Sequence, residues 1–147
     1  MSTAVAADRR TLRVLLLTPV GMAFDGDVRM LVAPSVGGEV GILPRHAPLI
    51  AQLRTGDIRL KIDDETSLVY ATTEGYLSVE TDHVLIMVAQ AEEVAVIDRA
   101  RAEAGVQAAE EVLAASPEDS AKRISAENRI RRNRNRLRVI EKYGPKS

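Results

Sequence analysis

Apolar and polar side chains alternate with a period of two over most of the first ninety residues. Within residues 57–62, Ile and Leu alternate with charged side chains. Because successive residues of a strand point to opposite faces of a sheet, this period predicts half-buried strands. Gly, Pro or Asp separates most of the runs, as in short strands joined by turns. The predicted strands include Leu12–Leu17, Val28–Val32, Glu39–Leu43, Leu49–Leu53, Ile58–Ile62, Leu68–Ala71, Tyr76–Val79 and Val84–Val88.

This spacing predicts an all-β sandwich, a flattened antiparallel barrel of about eight to ten strands, over residues 1–90. Residues 1–10 are expected to form a disordered lead. The chain is 46% hydrophobic but only 3% aromatic, so the core must be built from Val, Ile, Leu and Ala. The absence of cysteine excludes disulfides, thiol catalysis and Cys-based zinc sites. No apolar run approaches the length of a membrane span, so we expect a soluble chain.

The period changes near residue 90, where Ala, Glu and Arg replace glycine and β-branched residues. This composition favours helices, and we predict two, at 93–115 and 117–143. Ser116 is a suitable N-cap for the second helix, and Pro117 suits its first position because the missing N–H costs nothing there. The chain therefore ends in a C-terminal α-helical hairpin over residues 91–147.

The apolar stripes expected on the two helices are thin, rich in alanine and interrupted by polar side chains. A few aliphatic contacts, each worth about 1.5–3 kcal/mol when fully buried, must offset an ordering cost of about 1–2 kcal/mol per residue. We therefore predict a stable β domain carrying a helical arm that is able to leave it. The expected stripes are Val94, Ile97, Arg101, Ala104, Ala108 and Val112 on the first helix, and Ala126, Ile130, Asn133, Leu137 and Ile140 on the second.

Residues 117–147 contain ten basic and four acidic side chains, a net charge of +6 in a chain whose total is -1. Residues 130–140 contain no acid at all. Such a surface favours an anionic partner: nucleic acid, the acidic first helix, an acidic patch on another protein, or a nucleotide phosphate. The low aromatic content weakens the nucleic-acid interpretation.

The sequence contains none of the common catalytic or phosphate-binding motifs, so no catalytic residue is predicted. Its two histidines, His46 and His83, are far apart, and no metal site is predicted. The acidic clusters Asp25–Asp27 and Asp63–Glu65 lack the pattern of a calcium loop, and we interpret both as solvated turns.

The segment P-R-H-A-P at residues 44–48 places two prolines around Arg45 and His46. Each X-Pro pair favours an extended conformation and removes one backbone donor, so the segment should be a stiff loop between two strands. The residues alone leave two interpretations open: a rigid connector, or a loop that presents Arg45 and His46 to a partner.

Four motifs resemble the epsilon subunit of the bacterial F-type ATP synthase. They are L-x-V-x-x-x-T-P at 12–19, G-E-V-G-I-L-P-R-H-A-P-L at 38–49, E-G-Y-L-S-V at 74–79 and V-L-I-M-V-A-Q-A at 84–91. With the helical pair that follows, the resemblance covers about residues 12–141. One difference is Arg45, since the family usually has Gly between Pro and His.

The resemblance implies a non-catalytic, rotating subunit of the central stalk. It would join the gamma subunit to the ring of membrane c subunits, coupling proton transport to ATP synthesis, with Glu39, Arg45 and His46 facing gamma and the polar loops of the ring. The implied location is the cytoplasmic face of the bacterial plasma membrane, as a peripheral component.

In this family the helical arm lies folded or extends into the catalytic head, where it impedes ATP hydrolysis. The resemblance implies that Arg129, Arg131, Arg134 and Arg138 meet acidic residues of the alpha and beta subunits in the extended state.

Some bacterial members bind ATP in the folded hairpin, which implies ATP as a regulatory ligand and no required cofactor. The matching positions here include the I-D-x-x-R-A pattern that begins at Ile97, and one further arginine of those members is replaced by the neighbourhood of Gln107. The implied ATP residues are Glu92, Ile97, Asp98, Arg101, Ala102, Arg132 and Arg136.

Two other classes of function compete with this interpretation: a nucleic-acid-binding module that uses the basic helix, and a stand-alone nucleotide sensor. Co-purification with the gamma subunit would distinguish the ATP synthase interpretation from both alternatives. A steep salt dependence of DNA binding would favour the nucleic-acid module.

Overall fold

The computed structural model describes residues 10–118 and 120–145 of the chain, so all of the predicted lead except Arg10 lies outside the described residues. These residues form ten strands, a 3-10 turn and two helices. The strands are β1 Leu12–Thr18, β2 Gly21–Val28, β3 Met30–Ser35, β4 Gly38–Ile42, β5 Leu49–Leu53, β6 Gly56–Lys61, β7 Ser67–Thr72, β8 Gly75–Glu80, β9 His83–Val88 and β10 Ala91–Glu93. The 3-10 turn is Val94–Val96, and the helices are α1 Arg99–Ala115 and α2 Ala121–Tyr143.

The strands follow the order β10-β7-β6-β3-β5-β8-β9-β1-β2, and β4 pairs with β3 outside this path. From β7 through to β2 along this order, and between β3 and β4, neighbours run antiparallel except β1 and β9, which are parallel. The predicted β-sandwich followed by a helical pair is confirmed. The chain divides into two compact units between Glu92 and Glu93, and β10 extends the sheet slightly beyond the predicted end at residue 90.

The core of the sheet unit is aliphatic, as the composition requires. Along β1, Leu12, Val14 and Leu16 are fully buried while Arg13 is exposed, which is the predicted period of two. Each such side chain contributes roughly 1.5–3 kcal/mol through its removal from water. The aromatic contribution is one edge-to-face pair, Phe24 and Tyr70, whose ring centroids are 6.4 Å apart.

The two acidic clusters have different structures. Asp63 forms the predicted turn: its Oδ1 accepts hydrogen bonds from the backbone N–H groups of Glu65 at 2.9 Å and Thr66 at 2.8 Å. These bonds favour the charged carboxylate and lower the pKa of Asp63. The cluster Asp25–Asp27 lies inside β2 instead of in a turn, and Arg13 pairs with Asp25 at 2.5 Å. The described residues include no cluster of potential metal ligands.

Both predicted helix starts were wrong. The first helix begins at Arg99, because Asp98 is the N-cap and accepts from the Arg101 N–H at 3.0 Å. The second begins at Ala121, because Ser120 accepts from the Arg123 N–H at 3.1 Å. The predicted cap Ser116 instead ends α1, where its hydroxyl donates to the Val112 carbonyl at 2.6 Å.

Small residues bring the two helices close together. Ala102 and Ala109 are buried on α1, and a Cβ added at Gly105 would lie 2.7 Å from Nδ2 of Asn133. The predicted α1 stripe was therefore out of phase, since Arg101 and Ala104 are exposed. On α2 the predicted positions Ala126, Ile130 and Asn133 are buried. Neither helix, over its described residues, is long and apolar enough to cross a bilayer.

The substitution Gly75→Ala should destabilise the sheet unit by about 3 kcal/mol. A Cβ at this position would collide with the backbone carbonyl of Met87 on the neighbouring strand, and backbone atoms cannot rotate away. Urea unfolding should show a lower midpoint. The control Gly37→Ala, whose Cβ would find its nearest neighbour 3.9 Å away, should change stability by less than about 0.5 kcal/mol. Equal midpoints for the two variants would contradict this account of Gly75.

Candidate functional site

The loop between β4 and β5, residues 43–48, holds Arg45 in the left-handed region with φ 70°. Its backbone N–H donates to Oδ1 of Asp82 at 2.6 Å, and the His46 N–H donates to the Leu43 carbonyl at 3.1 Å. The His46 ring is held as well, since its Nδ1 lies 2.7 Å from the Ala47 carbonyl oxygen. The Arg45 side chain is exposed, and we call this segment the docking loop.

Asp82 connects the docking loop to strand β1. It lies in the turn between β8 and β9 with φ 61°, and its carbonyl accepts from the Arg13 N–H at 2.8 Å. One residue therefore bonds to both β1 and the loop tip. The left-handed conformation of Arg45 is one that Gly would adopt without steric strain.

Glu39, the third predicted rotor contact, lies in β4 and is fixed by its own chain. Its Oε2 accepts from Arg59 at 2.7 Å, and Nε of Arg59 lies 3.5 Å from the buried carboxylate of Asp57. The structure thus places Arg45 and His46 on the loop and Glu39 in the preceding strand.

A row of apolar side chains lies on the outer side of the sheet, across strands β8, β9, β1 and β2. Tyr76, Met87 and Leu17 lie side by side on adjacent strands, and Met22 continues the row. Tyr76 is 57% exposed and Met87 is 50% exposed. Ile50, 81% exposed, lies on the same face in β5, opposite Ser78 and close to the end of the docking loop. We call this surface the outer apolar face.

The outer apolar face was not among the predicted features. The signal was present, because L-R-V-L-L-L-T in β1 and H-V-L-I-M-V in β9 carry apolar residues at positions of both parities. Strands that are apolar on both faces are typical of sheets covered on both sides. An exposed surface of this kind is typical of protein interfaces.

The six arginines within residues 129–138 of α2 fall into an exposed set and a half-buried pair. Arg129, Arg131, Arg134 and Arg138, the four assigned to the catalytic head, are exposed. Arg134 pairs with Glu110 of α1 at 3.0 Å, while Arg131 bonds Asn128 at 2.6 Å and Arg138 bonds Asn135 at 3.1 Å. Arg132 and Arg136, the pair assigned to ATP, are half-buried.

The predicted ATP residues have mixed local roles. Asp98 is the N-cap of α1, and Ala102 is one of the buried residues of α1. Arg136 donates to Oδ1 of Asn133 at 3.1 Å. The buried Nε of Arg132 has no hydrogen-bond partner among the described residues. Ile97 follows the 3-10 turn and is half-buried.

The antiparallel register of the two helices brings some of these predicted ATP residues to a similar height along the hairpin. Arg99 lies 3.6 Å from Glu141, and Gly105 packs against Asn133. Arg101 and Arg136 therefore both lie between the Arg99–Glu141 pair and the Gly105–Asn133 contact. Arg132 lies about one turn before Arg136 in α2. Glu92 lies in β10, in the sheet unit.

A cavity of about 300 Å³ lies between the two helices at their turn end, and none of the predicted ATP residues lines it. Cationic side chains reach it without any acidic neighbour in its lining. The lining residues are Ala109, Val112, Ala121, Lys122, Ser125, Ala126 and Arg129.

Residues 11–94 match the beta-sandwich domain of the ATP synthase delta/epsilon chain. The chain belongs to this family. The ATP synthase epsilon chain of Bacillus subtilis is 40% identical over 111 residues, which are 76% of this chain and 83% of the relative. That of Halalkalibacterium halodurans is 40% identical over 129 residues, 88% of this chain and 96% of the relative. The resemblance noted in the motifs is therefore confirmed.

Solved structures agree on the fold. A chain in the cryo-EM structure of the Euglena gracilis mitochondrial ATP synthase has a TM-score of 0.74 at 19% identity, with 88% of this chain and 81% of that chain covered. A chain from the central stalk and c-ring of the Tetrahymena thermophila enzyme has a TM-score of 0.53 at 13% identity, with coverage of 94% and 99%.

Replacing Asp82 with Gly should loosen the docking loop. A hydrogen bond to a charged acceptor contributes about 1.5–3 kcal/mol, so the Arg45 N–H should exchange with solvent at least roughly tenfold faster in Asp82→Gly. Asp82→Asn is the matched control, because Asn keeps an Oδ1 acceptor and also tolerates positive φ. Hydrogen exchange followed by NMR measures both rates. If the Gly variant exchanges at the wild-type rate, the hydrogen bond from the Arg45 N–H to Asp82 has no role in ordering the loop.

Proposed function

We propose that this chain is the non-catalytic central-stalk subunit of a bacterial F1Fo ATP synthase. It couples the gamma subunit to the c-ring during proton-driven ATP synthesis. Membership of the family supports this proposal, and the observation that carries it is the outer apolar face beside a clamped docking loop. The subunit would lie at the cytoplasmic face of the plasma membrane as a peripheral component, without inserting.

Gamma binds the outer apolar face in this proposal. Tyr76, Met87 and Ile50 are too exposed to stabilise the isolated sheet, but they would contribute fully once a partner removes them from water. The face starts at β5, directly after the docking loop. A protein bound to this face would therefore lie next to the protein that contacts the docking loop.

The docking loop contacts the polar loops of the c-ring, with Arg45 and His46 as contact residues of the loop and Glu39 as a contact residue of β4. Torque transmission requires a contact that does not yield. Two prolines fix the loop backbone and the Asp82 carboxylate holds its tip, so little rotation would be lost in deforming it.

The helical hairpin is the regulatory arm. Three of the six buried residues of its helices are alanines, so opening the hairpin exposes less apolar surface than unfolding an aliphatic core. In an extended state, the exposed Arg129, Arg131, Arg134 and Arg138 would meet acidic residues of alpha and beta and impede ATP hydrolysis. Attraction between such charged surfaces favours this encounter at low ionic strength.

ATP is the proposed regulatory ligand of the folded hairpin, bound through Arg101, Arg132 and Arg136 with Asp98, Ala102 and Ile97. The buried Nε of Arg132 supports this assignment, because a buried donor without a partner is unfavourable and a phosphate oxygen would satisfy it. No cofactor is required for the coupling function.

Truncation after Glu93 should leave gamma binding intact while ATP hydrolysis by the reassembled synthase rises. The sheet unit retains the core, the outer apolar face and the docking loop, whereas the arm is removed. Truncation after Gln90 is the matched comparison: it also removes β10, which pairs with β7, so its melting temperature should be lower. Loss of gamma binding in the longer truncation would refute the proposed division of roles.

Calorimetric titration of the full chain with ATP tests the regulatory site. Saturable binding should weaken at least about tenfold in Arg132→Ala and Arg101→Ala, since each loses a charge-assisted bond to phosphate. Arg131→Ala, on the same helix but bonded to Asn128, should bind like the wild type. Absence of heat at millimolar ATP would remove ATP from the proposal and leave the coupling role untouched.

A further inference from the structure

Arg45 occupies a backbone conformation that disfavours its own residue type. With φ 70° it lies in the left-handed region, where Gly has no steric strain and Asn or Asp are tolerated. The other described non-glycine residues with positive φ are Thr81 and Asp82, and Asp82 uses its side chain to hold the loop. Arg45 contributes only its backbone N–H to that clamp, which a glycine would supply equally well. Its side chain therefore needs another explanation.

The guanidinium of Arg45 has no ion-pair or hydrogen-bond partner among the described residues. Other arginines of the sheet unit do: Arg13 bonds Asp25 at 2.5 Å, Arg29 bonds Asp64 at 2.7 Å and Arg59 bonds Glu39 at 2.7 Å. Arg45 is also exposed, at the tip of a loop whose backbone is fixed. A strained backbone that presents an unpaired charge is typical of a binding contact.

The surroundings of Arg45 favour a single carboxylate as its ligand. Its backbone N–H bonds to the Asp82 carboxylate, and Glu80 is exposed at the end of β8, just before the turn that contains Asp82, so acidic groups are present at this end of the sheet unit. A membrane of anionic lipids requires several basic side chains for stable attraction. A lone guanidinium matches a single carboxylate, which accepts two parallel hydrogen bonds. Leu43, 55% exposed, adds an apolar contact beside it.

We propose that the Arg45 guanidinium binds an aspartate or glutamate side chain of the protein that docks against this loop. This inference rests on the proposed function, in which that protein is the c-ring. The contact requires a side chain at position 45, which a glycine lacks. It offsets the strain of the positive φ of Arg45 only when the partner is bound.

The test measures binding of the full chain to the gamma and c-ring assembly, with Arg45→Gly as the main variant. Glycine relieves the strained φ, so its unfolding midpoint should equal or exceed that of the wild type, which separates lost binding from lost folding. Affinity should fall roughly 10- to 100-fold at low salt, the range expected for a charge-assisted hydrogen bond. The difference should shrink as salt rises.

Three further variants identify the chemistry. Arg45→Lys keeps the charge but loses the planar fork, so it should bind with intermediate affinity. Arg54→Gln removes one charge from another exposed loop of the same unit and should bind like the wild type. Arg45→Glu should lose binding, and a carboxylate-to-arginine exchange in the partner should restore it.

The remaining outcomes separate this inference from the function on which it rests. If the wild-type chain fails to bind the assembly, the proposed function is wrong and the inference falls with it. If the wild type binds and Arg45→Gly binds equally well, the function stands and the inference is overturned. Binding of the wild type, but not of Arg45→Gly, to vesicles of phosphatidylglycerol would replace the carboxylate with a lipid phosphate and would also overturn it.

Discussion

The pairing of β1 with β9 is the contact on which the rest of the sheet unit depends. It joins the first strand to one of the last along a parallel register from Arg13 and His83 to Leu17 and Met87. The turn that leads into β9 contains Asp82, whose carbonyl bonds to β1 and whose carboxylate bonds to the docking loop. Closure of the sheet and ordering of the loop therefore share one residue. A rigid loop follows from the same contacts that complete the core.

The two faces of this pairing have different uses. Val14 and Ile86 point into the core and are fully buried, whereas Leu17 and Met87 lie on the outer apolar face. A chain that folds as an isolated unit needs only the first set. The second set is consistent with a protein that completes its burial in an assembly, as the proposed binding of gamma requires.

The helical unit relies on close approach and capping more than on large apolar contacts. Gly105 leaves room for Asn133, and Asn133 is held through the Arg129 carbonyl at 3.0 Å and by Arg136. Asp98 and Ser120 fix the two helix starts. These polar contacts define one register of the hairpin but bury little apolar surface.

The sequence by itself determined the β-sandwich, the helical pair, the aliphatic core and the stiffness of the docking loop. Each follows from local features: period-two alternation, alanine-rich composition, the lack of aromatics and two closely spaced prolines. The family also followed from the sequence, because its motifs are contiguous segments. Tertiary structure alone decided the positive φ of Arg45, since its anchor Asp82 lies 37 positions away. It also decided which serine caps α2, and the phase of α1, where Gly105 meets Asn133 across the hairpin. Contacts between distant segments leave no periodic signal in either segment, so only the folded chain reveals them.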